Sequence, residues 1–238
     1  MFTTPQGMEV TCTNCGFGSA CLPRGLTQGE IEQLEHIVQR RKVLHKGDVL
    51  FRSGDPFRGL IAIKSGMAKL IYQDDQSQEH ILGLLLPGEI LGFDALSHNA
   101  YHCSAQALDT LSYCALPARQ ISPICTKIPT LFHEMLRHAS DVIGIQRKQM
   151  VFIKKPADQR LAGFLLDLSR RYEARGFSGE TFSMGLTRKE IGNYLDLALA
   201  TVSRTLKRFE KTGWIELQGK WVHIFDQPAL ECLLAEPG

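Results

Sequence analysis

From Val43 to Leu116 the apolar residues come in short runs, Leu60-Ile61-Ala62-Ile63 and Ala68-Lys69-Leu70-Ile71-Tyr72 among them. Between the runs stand turn formers: Lys46-Gly47-Asp48, Ser53-Gly54-Asp55-Pro56, Ser65-Gly66, Asp74-Asp75 and Pro87-Gly88-Glu89. Many short strands cut by regular glycine turns predict a β-sandwich or jelly roll. Ahead of it, Thr27 with Glu30 three residues on is a capping box, and Ile31, Leu34, Ile37 and Val38 follow at helical spacing. A short helix over 27–41, laid on the strand domain as a lid, is the expectation.

After the strands, Pro129 opens a helix that runs to about Ile153. It carries two apolar seams of four-three spacing, one through Phe132, Leu136, Ala139, Ile143, Gln146 and Met150, the other through Leu131, Met135, His138, Val142, Ile145 and Gln149. A helix apolar on two sides needs two partners. His133-Glu134 and His138 do not make a metalloprotease helix, because the histidines are five apart and diverge around the axis.

Past Lys154-Lys155-Pro156, a polar break, Ala157 to Tyr172 reads as a helix with Leu161, Phe164, Leu165 and Leu168 inward. Thr187 and Glu190 form a second capping box, starting a helix through Tyr194. The turn Leu195-Asp196-Leu197 leads to another helix, Ala200 to Phe209, stopped by Gly213. Trp214 to Leu217 and Lys220 to Ile224 then make a hairpin. Two short helices joined by a tight turn and followed by a wing are a winged helix-turn-helix. Ile191, Leu195, Val202 and Leu206 are its core. Ser203 and Arg204 lie near the start of the recognition helix, within reach of base edges, and Arg204 suits the two acceptors of a guanine. Lys207 and Arg208 suit phosphates, and Thr201 suits either. Thr187 and Arg188, opening the preceding helix, complete the candidate DNA-contacting set.

Composition adds little until its distribution is considered. The 238 residues are 44% hydrophobic and 22% charged, with a net charge of +2, ordinary for a globular protein with room for two domains. The basic excess sits in the C-terminal third, over the helix-turn-helix. Met1 to Val10 lacks a basic segment followed by an apolar run, and the most apolar window, Ile81 to Phe93, is broken by Pro87, Gly88 and Glu89. The expectation is a cytoplasmic protein with reduced thiols and no membrane contact.

Against that background the seven cysteines need an explanation. Cys12, Cys15 and Cys21 stand in a C-x2-C-x5-C pattern whose spacers, Gly16, Gly18, Ser19 and Ala20, suit a backbone that curls around something. Soft thiolates select zinc, copper(I) or iron–sulfur clusters, usually with four ligands. The fourth comes from Cys103, Cys114, Cys125 or Cys232. An odd cysteine count argues against a disulfide framework, the lack of a second C-x2-C against structural zinc, and the lack of a βαβ pattern against a thioredoxin-like pair.

Lys46-Gly47, Leu50-Phe51, Gly54-Asp55, Ile63, Ser65-Gly66, Leu86-Pro87-Gly88-Glu89 and Gly92 resemble the β-roll sensor domain of the Crp/Fnr transcription regulators. Ile191 to Leu195 with Thr201-Val202-Ser203-Arg204 resembles the FNR and ANR branch. The resemblance implies an α+β chain with a cysteine-rich cluster-binding segment (1–26), a β-roll sensor domain (27–128), a dimerisation helix (129–153) and a winged helix-turn-helix domain (154–238). Tyr113 to Pro117 matches the place of the branch's fourth cysteine, so Cys12, Cys15, Cys21 and Cys114 are the implied ligands of a 4Fe–4S cluster that reports oxygen. Cys103, Cys125 and Cys232 are then buried or spare thiols. Cyclic-nucleotide members carry an Arg-Ser or Arg-Thr pair after the glycine-glutamate turn; here His102-Cys103-Ser104 stands in that region with no arginine between Gly88 and Leu116, so no cyclic nucleotide is expected.

The resemblance further implies a homodimer through Met135, His138, Val142, Ile145 and Gln149, a palindromic DNA site resembling TTGAT-N4-ATCAA, and RNA polymerase as a partner. Three departures from the branch matter. Ala200 replaces a glutamate, Ala198 replaces a Ser or Thr cap, and Ile145 replaces an acidic residue, so that the seam favours the dimer. No enzyme is expected. The rival readings are a regulator of the same build that senses through haem or nitric oxide, and a redox or electron-transfer module.

Overall fold

The computed structural model describes residues 11–40 and 43–235. The expectation for Met1 to Val10 and the last residue of the 27–41 helix lie outside them. In chain order the elements are α1 (Gln28–Glu35), β1 (Gln39–Arg40), β2 (Val49–Phe51), β3 (Gly59–Ser65), β4 (Ala68–Gln73), β5 (Glu79–Leu85), β6 (Ile90–Leu91), β7 (Ser104–Ala107), β8 (Ser112–Pro117), α2 (Ala118–Lys127), α3 (Pro129–Phe152), α4 (Ala157–Glu173), β9 (Thr181–Ser183), α5 (Arg188–Leu195), α6 (Leu199–Lys211), β10 (Ile215–Gln218), β11 (Trp221–Ile224) and α7 (Gln227–Ala235).

Two antiparallel four-stranded sheets, ordered β1-β8-β3-β6 and β2-β7-β4-β5, face each other. Strand alternation sends Ile61, Ile63 and Tyr113 inward to meet Phe51, Ala105 and Leu111, while Leu60, Ala62 and Leu116 face outward. The outward set is buried all the same, under Leu22 of the cysteine loop, Leu34 of α1, Ile124 of α2 and Leu131 and Met135 of α3. A layer of helices and loop thus covers one face of the first sheet, and the cysteines lie in that layer.

Two elements around the sheets differ from expectation, and β9 and α7 in the C-terminal domain were not expected either. α1 stops at Glu35, because Gln39 and Arg40 pair with Ala115 and Cys114 as an edge strand, and that ladder outweighs continued helix. α2 was not expected. Pro123 stands inside it, and its amphipathic face, with Ile124 buried, holds the helix in spite of it.

The apolar core of the C-terminal domain runs through α4, α5, α6 and the wing, and it does not end at the domain edge. Met67, Ile81, Leu84, Leu86 and Leu108 of the sensor domain belong to the same buried cluster as Leu161, Leu165, Ile191 and Phe209. Beyond the Lys154-Lys155-Pro156 break the C-terminal domain folds back so that α5 lies against β5 and bonds Lys69 of β4.

Candidate functional site

The cysteine loop is wound from short turns that use its own amides: Gly18 N donates to Cys15 O, Ala20 N to Phe17 O and Arg24 N to Cys21 O. Cys114 comes from the middle of β8, paired with Ala62 on one side and Arg40 on the other. Cys12, Cys15, Cys21 and Cys114 line one cavity whose wall is otherwise largely apolar, with Phe17, Leu22, Leu34, Val38, Ala62 and Leu116. Burial pushes the Cys21 thiol up to about 12, and the nearby Cys114, Cys12 and Cys15 push in the same direction. Three thiols close enough to disfavour the Cys21 thiolate make, with it, a donor set that a cationic soft-metal core in their midst would suit. Among the described residues no three His, Cys, Asp or Glu side chains converge to single-ion distance. The four thiols share a cavity wall, and that is the extent of their convergence.

The other cysteines stand apart. Cys103 is buried between the two sheets, and burial raises it to about 12. Cys125 on α2 has its sulfur 3.6 Å from that of Met135, and Cys232 is exposed on α7.

The start of α3 is tied to the cysteine loop. Arg24 Nε donates to Glu134 Oε2 at 2.7 Å, and the Glu134 side chain, only 5% exposed, also takes Arg137 at 3.1 Å. His138 hydrogen-bonds the Cys21 backbone, while its Nε2 is buried with no partner. Burial first, and Arg24 next, hold its pKa below the ordinary histidine value. This corrects the expected seam. Met135 and His138 are turned into the chain's own sensor domain, because this end of α3 buries Leu131, Glu134 and Met135 against α2 and the loop. Farther along, Val142 and Ile145 are open, as are Phe132, Leu136, Ile143 and Met150 of the other seam; Ile145 is 63% exposed. Gln149 is half-buried.

In the C-terminal domain both helices start as their residues dictate. Thr187 and Glu190 close the expected capping box on α5, so the Thr187 hydroxyl is engaged locally, at 2.7 Å from Glu190 Oε2. α6 has Ala198 at its N-cap and no side-chain cap. The two helices meet closely at Gly192, where a Cβ would stand 2.5 Å from the Leu197 carbonyl oxygen. Val202, Thr205, Leu206 and Phe209 face the core, and this leaves Ala200, Arg204 and Lys207 exposed on the opposite side with Ser203 and Thr201 half-buried. Arg188 is exposed at the head of α5. Arg208 differs from expectation: its guanidinium is paired with Asp158 of α4, which also accepts from Thr205 Oγ1 at 3.0 Å. A phosphate contact by Arg208 competes with that pair.

The sequence did not reveal how α5 sits on the sensor. Lys69 Nζ on β4 donates to Glu190 Oε1 at 2.7 Å, and Asn193 bridges Ile81 N at 2.6 Å and Glu79 O at 2.7 Å. Burial alone would raise the Glu190 carboxyl, but Lys69 and the Thr187 donors outweigh it and hold the group down at about 2. The one signal available beforehand was Lys69 inside an otherwise apolar strand.

Among the described residues no helix is long and apolar enough to cross a membrane. Residues 41–127 match the cyclic nucleotide-binding domain family and residues 159–233 the Crp-like helix-turn-helix domain family. The chain is 41% identical to the transcriptional activator protein anr of Pseudomonas aeruginosa, over 95% of this chain and 93% of that protein. It is 38% identical to the fumarate and nitrate reduction regulatory protein of Escherichia coli K12, over 94% and 90%, and 37% identical to electron transport regulator A of Shewanella oneidensis, over 96% and 92%. FixK2 from Bradyrhizobium japonicum superposes with a TM-score of 0.76 at 19% identity, covering 85% of this chain and 100% of that one. A likeness of more than a third of all residues, carried across both domains, leaves no ambiguity of family: this chain belongs to the Crp/Fnr transcription regulators, DNA-binding proteins built on a helix-turn-helix.

Proposed function

We propose that the chain is a homodimeric regulator of anaerobic gene expression whose 4Fe–4S cluster, held by Cys12, Cys15, Cys21 and Cys114, reports oxygen, and whose cluster-bound dimer binds a two-fold DNA site resembling TTGAT-N4-ATCAA. The observation that carries this reading is the shared cavity: three thiols of one loop and a fourth from β8, about a hundred residues away, line the same apolar space. The names of the relatives, a transcriptional activator protein anr and a fumarate and nitrate reduction regulatory protein, point the same way.

When bound, such a cluster supplies an oxidisable core that survives only while oxygen is scarce. The chain's own residues do the rest. The thiolates fix the loop on β8, Arg24 and His138 pass the loop's position to α3, and Val142, Ile145 and the neighbouring exposed apolar residues offer a surface for the same helix of a second subunit. Arg204 and Ser203 then read bases, and Lys207 and Arg188 hold phosphates. RNA polymerase is the partner through which a DNA-bound regulator of this build acts.

Protein purified without oxygen should contain about four iron and four sulfide per subunit. Cys114→Ser should abolish both, and Cys103→Ser, Cys125→Ser or Cys232→Ser should leave both. A full cluster in Cys114→Ser refutes the ligand set, and a haem spectrum in the wild type would establish the rival sensor.

A further inference from the structure

The Pro87-Gly88-Glu89 turn touches two things at once. Gly88 has φ +88°, and a Cβ built there would stand 2.9 Å from Ala20 Cβ and 3.5 Å from Phe17 Cβ, so the turn lies flat against the cysteine loop. The next residue is held by the DNA-binding domain. Glu89 Oε2 accepts from Arg171 Nη2 at 2.7 Å, and Oε1 accepts from Arg175 Nη2 at 2.6 Å. The same two arginines donate to the Leu84 carbonyl at 2.7 Å and the Pro87 carbonyl at 2.6 Å. Beside them a second contact crosses the same boundary. The Phe17 ring lies 6.0 Å from that of Phe177, which lies 6.1 Å from Tyr172, itself stacked on Phe182 of β9 at 5.3 Å.

These contacts cannot be given up singly without cost. The Arg175 side chain is 7% exposed, and a guanidinium that loses its carboxylate in such a place is a buried charge without compensation. Glu89 and the arginines must therefore move together, carrying α4 and β9 with the turn. The Lys69–Glu190 and Asn193 contacts extend the same docking to α5. Docking does not cover the polar face of α6, since Arg204 and Lys207 stay exposed. It orients that face.

From this arrangement we infer that the Pro87-Gly88-Glu89 turn is a relay within one subunit. The turn sets the orientation of the DNA-binding domain from the position of the cysteine loop, with Glu89 as the positioning residue and the Phe17–Phe177 contact as its second strand. The inference rests on the cluster reading for what moves the loop, but it adds a route that does not pass through the dimer helix. The glutamate of the glycine-glutamate turn, in a domain of the cyclic nucleotide-binding family, here serves the chain's own arginines.

The test uses the full-length protein, anaerobic and after exposure to air, as wild type, Glu89→Gln and Phe177→Ala. Glutamine keeps the oxygen that accepts from Leu86 N, and Phe177 is half-exposed, so the fold is kept in at least one of the two. Iron content and sedimentation should match the wild type in both variants. Affinity for a duplex carrying the TTGAT–ATCAA site should fall about tenfold. In the wild type, hydrogen exchange of residues 171–183 should speed up when the cluster is lost; in Glu89→Gln it should be fast already and indifferent to air. Wild-type affinity with a wild-type exchange response in Glu89→Gln overturns the relay. A wild type without iron overturns the cluster reading instead, and the affinity and exchange of Glu89→Gln against wild type still decide whether Glu89 positions the domain.

Discussion

The cysteine cavity and the polar face of α6 are built by opposite means. The cavity is a product of tertiary folding: Cys21 and Cys114 meet only because β8 pairs between β1 and β3 and the loop is held over that sheet by Leu22 and Leu34. The face of α6 is a product of local sequence, thirteen consecutive residues whose apolar side is buried and whose polar side is left over. The cavity is largely apolar and lined by four thiols, while the helix face is open and charged. As the proposed cluster site, the cavity should fail entirely when one thiol is removed, since the remaining three are an incomplete set of ligands. The helix face loses function in increments, contact by contact.

Three substitutions outside the cavity measure that contrast. Ile145→Asp should have the largest effect, because in the proposed dimer a two-fold axis along the exposed half of α3 would bring two copies of the new charge together. Dimerisation should weaken by about a hundredfold in cluster-free protein and by less in cluster-bound protein, followed by sedimentation. Identical dimerisation of variant and wild type in both states would remove Ile145 from the interface. Arg204→Ala comes next. It should lower specific affinity by one to two decades, about 1–3 kcal/mol, while binding to unrelated DNA and its salt dependence stay nearly unchanged. Equal losses on both kinds of DNA would make Arg204 a phosphate contact. Ala200→Glu is the smallest and has the opposite sign. Alanine cannot accept from a cytosine amino group, so the wild type should tolerate changes at the base pair facing it, and the variant should gain discrimination there at the low end of that range, about 1 kcal/mol. Sharp preference at that pair in a site selection with the wild type would mean α6 is aligned wrongly on the DNA.

The same contrast explains what could be read beforehand. The face of α6, Arg208 apart, was legible beforehand, because its helical period, the glycine after it and the capping box of the preceding α5 are local signals. In the cavity, the loop's three thiols were visible as spacing, whereas Cys103, Cys114, Cys125 and Cys232 were equivalent until resemblance singled out Cys114. Burial then set Cys103 between the sheets and left Cys114 on the wall of the cavity. The two seams of α3 were also equivalent as patterns. Nothing in the four-three spacing says that Met135 and His138 turn to the chain's own loop while Ile145 stays open; that depends on α2, which Pro123 concealed. Arg208 illustrates a further limit, since its pairing with Asp158 joins residues fifty positions apart on elements that were each assigned correctly. The docking of α5 on β5 was almost as well hidden, with Lys69 its one sign. It combines ion pairs and amide contacts with apolar packing of Ile81 and Leu84, all between residues far apart in sequence.

Helix α3 has a mechanical consequence. It runs 24 residues without a break, about 36 Å at the usual rise, and is clamped at one end by Glu134 and His138 under the cysteine loop. At the other end the Phe152 ring fills the space over Gly163 of α4, where a Cβ would stand 2.3 Å from it. A rod held at its root and seated at its tip is a lever. A tilt of about 5° at the root carries the tip about 2 Å sideways, enough to shift α4 relative to its seat. Sub-ångström rearrangements around the thiols can therefore reach α4 as displacements several times larger, by rigid rotation alone.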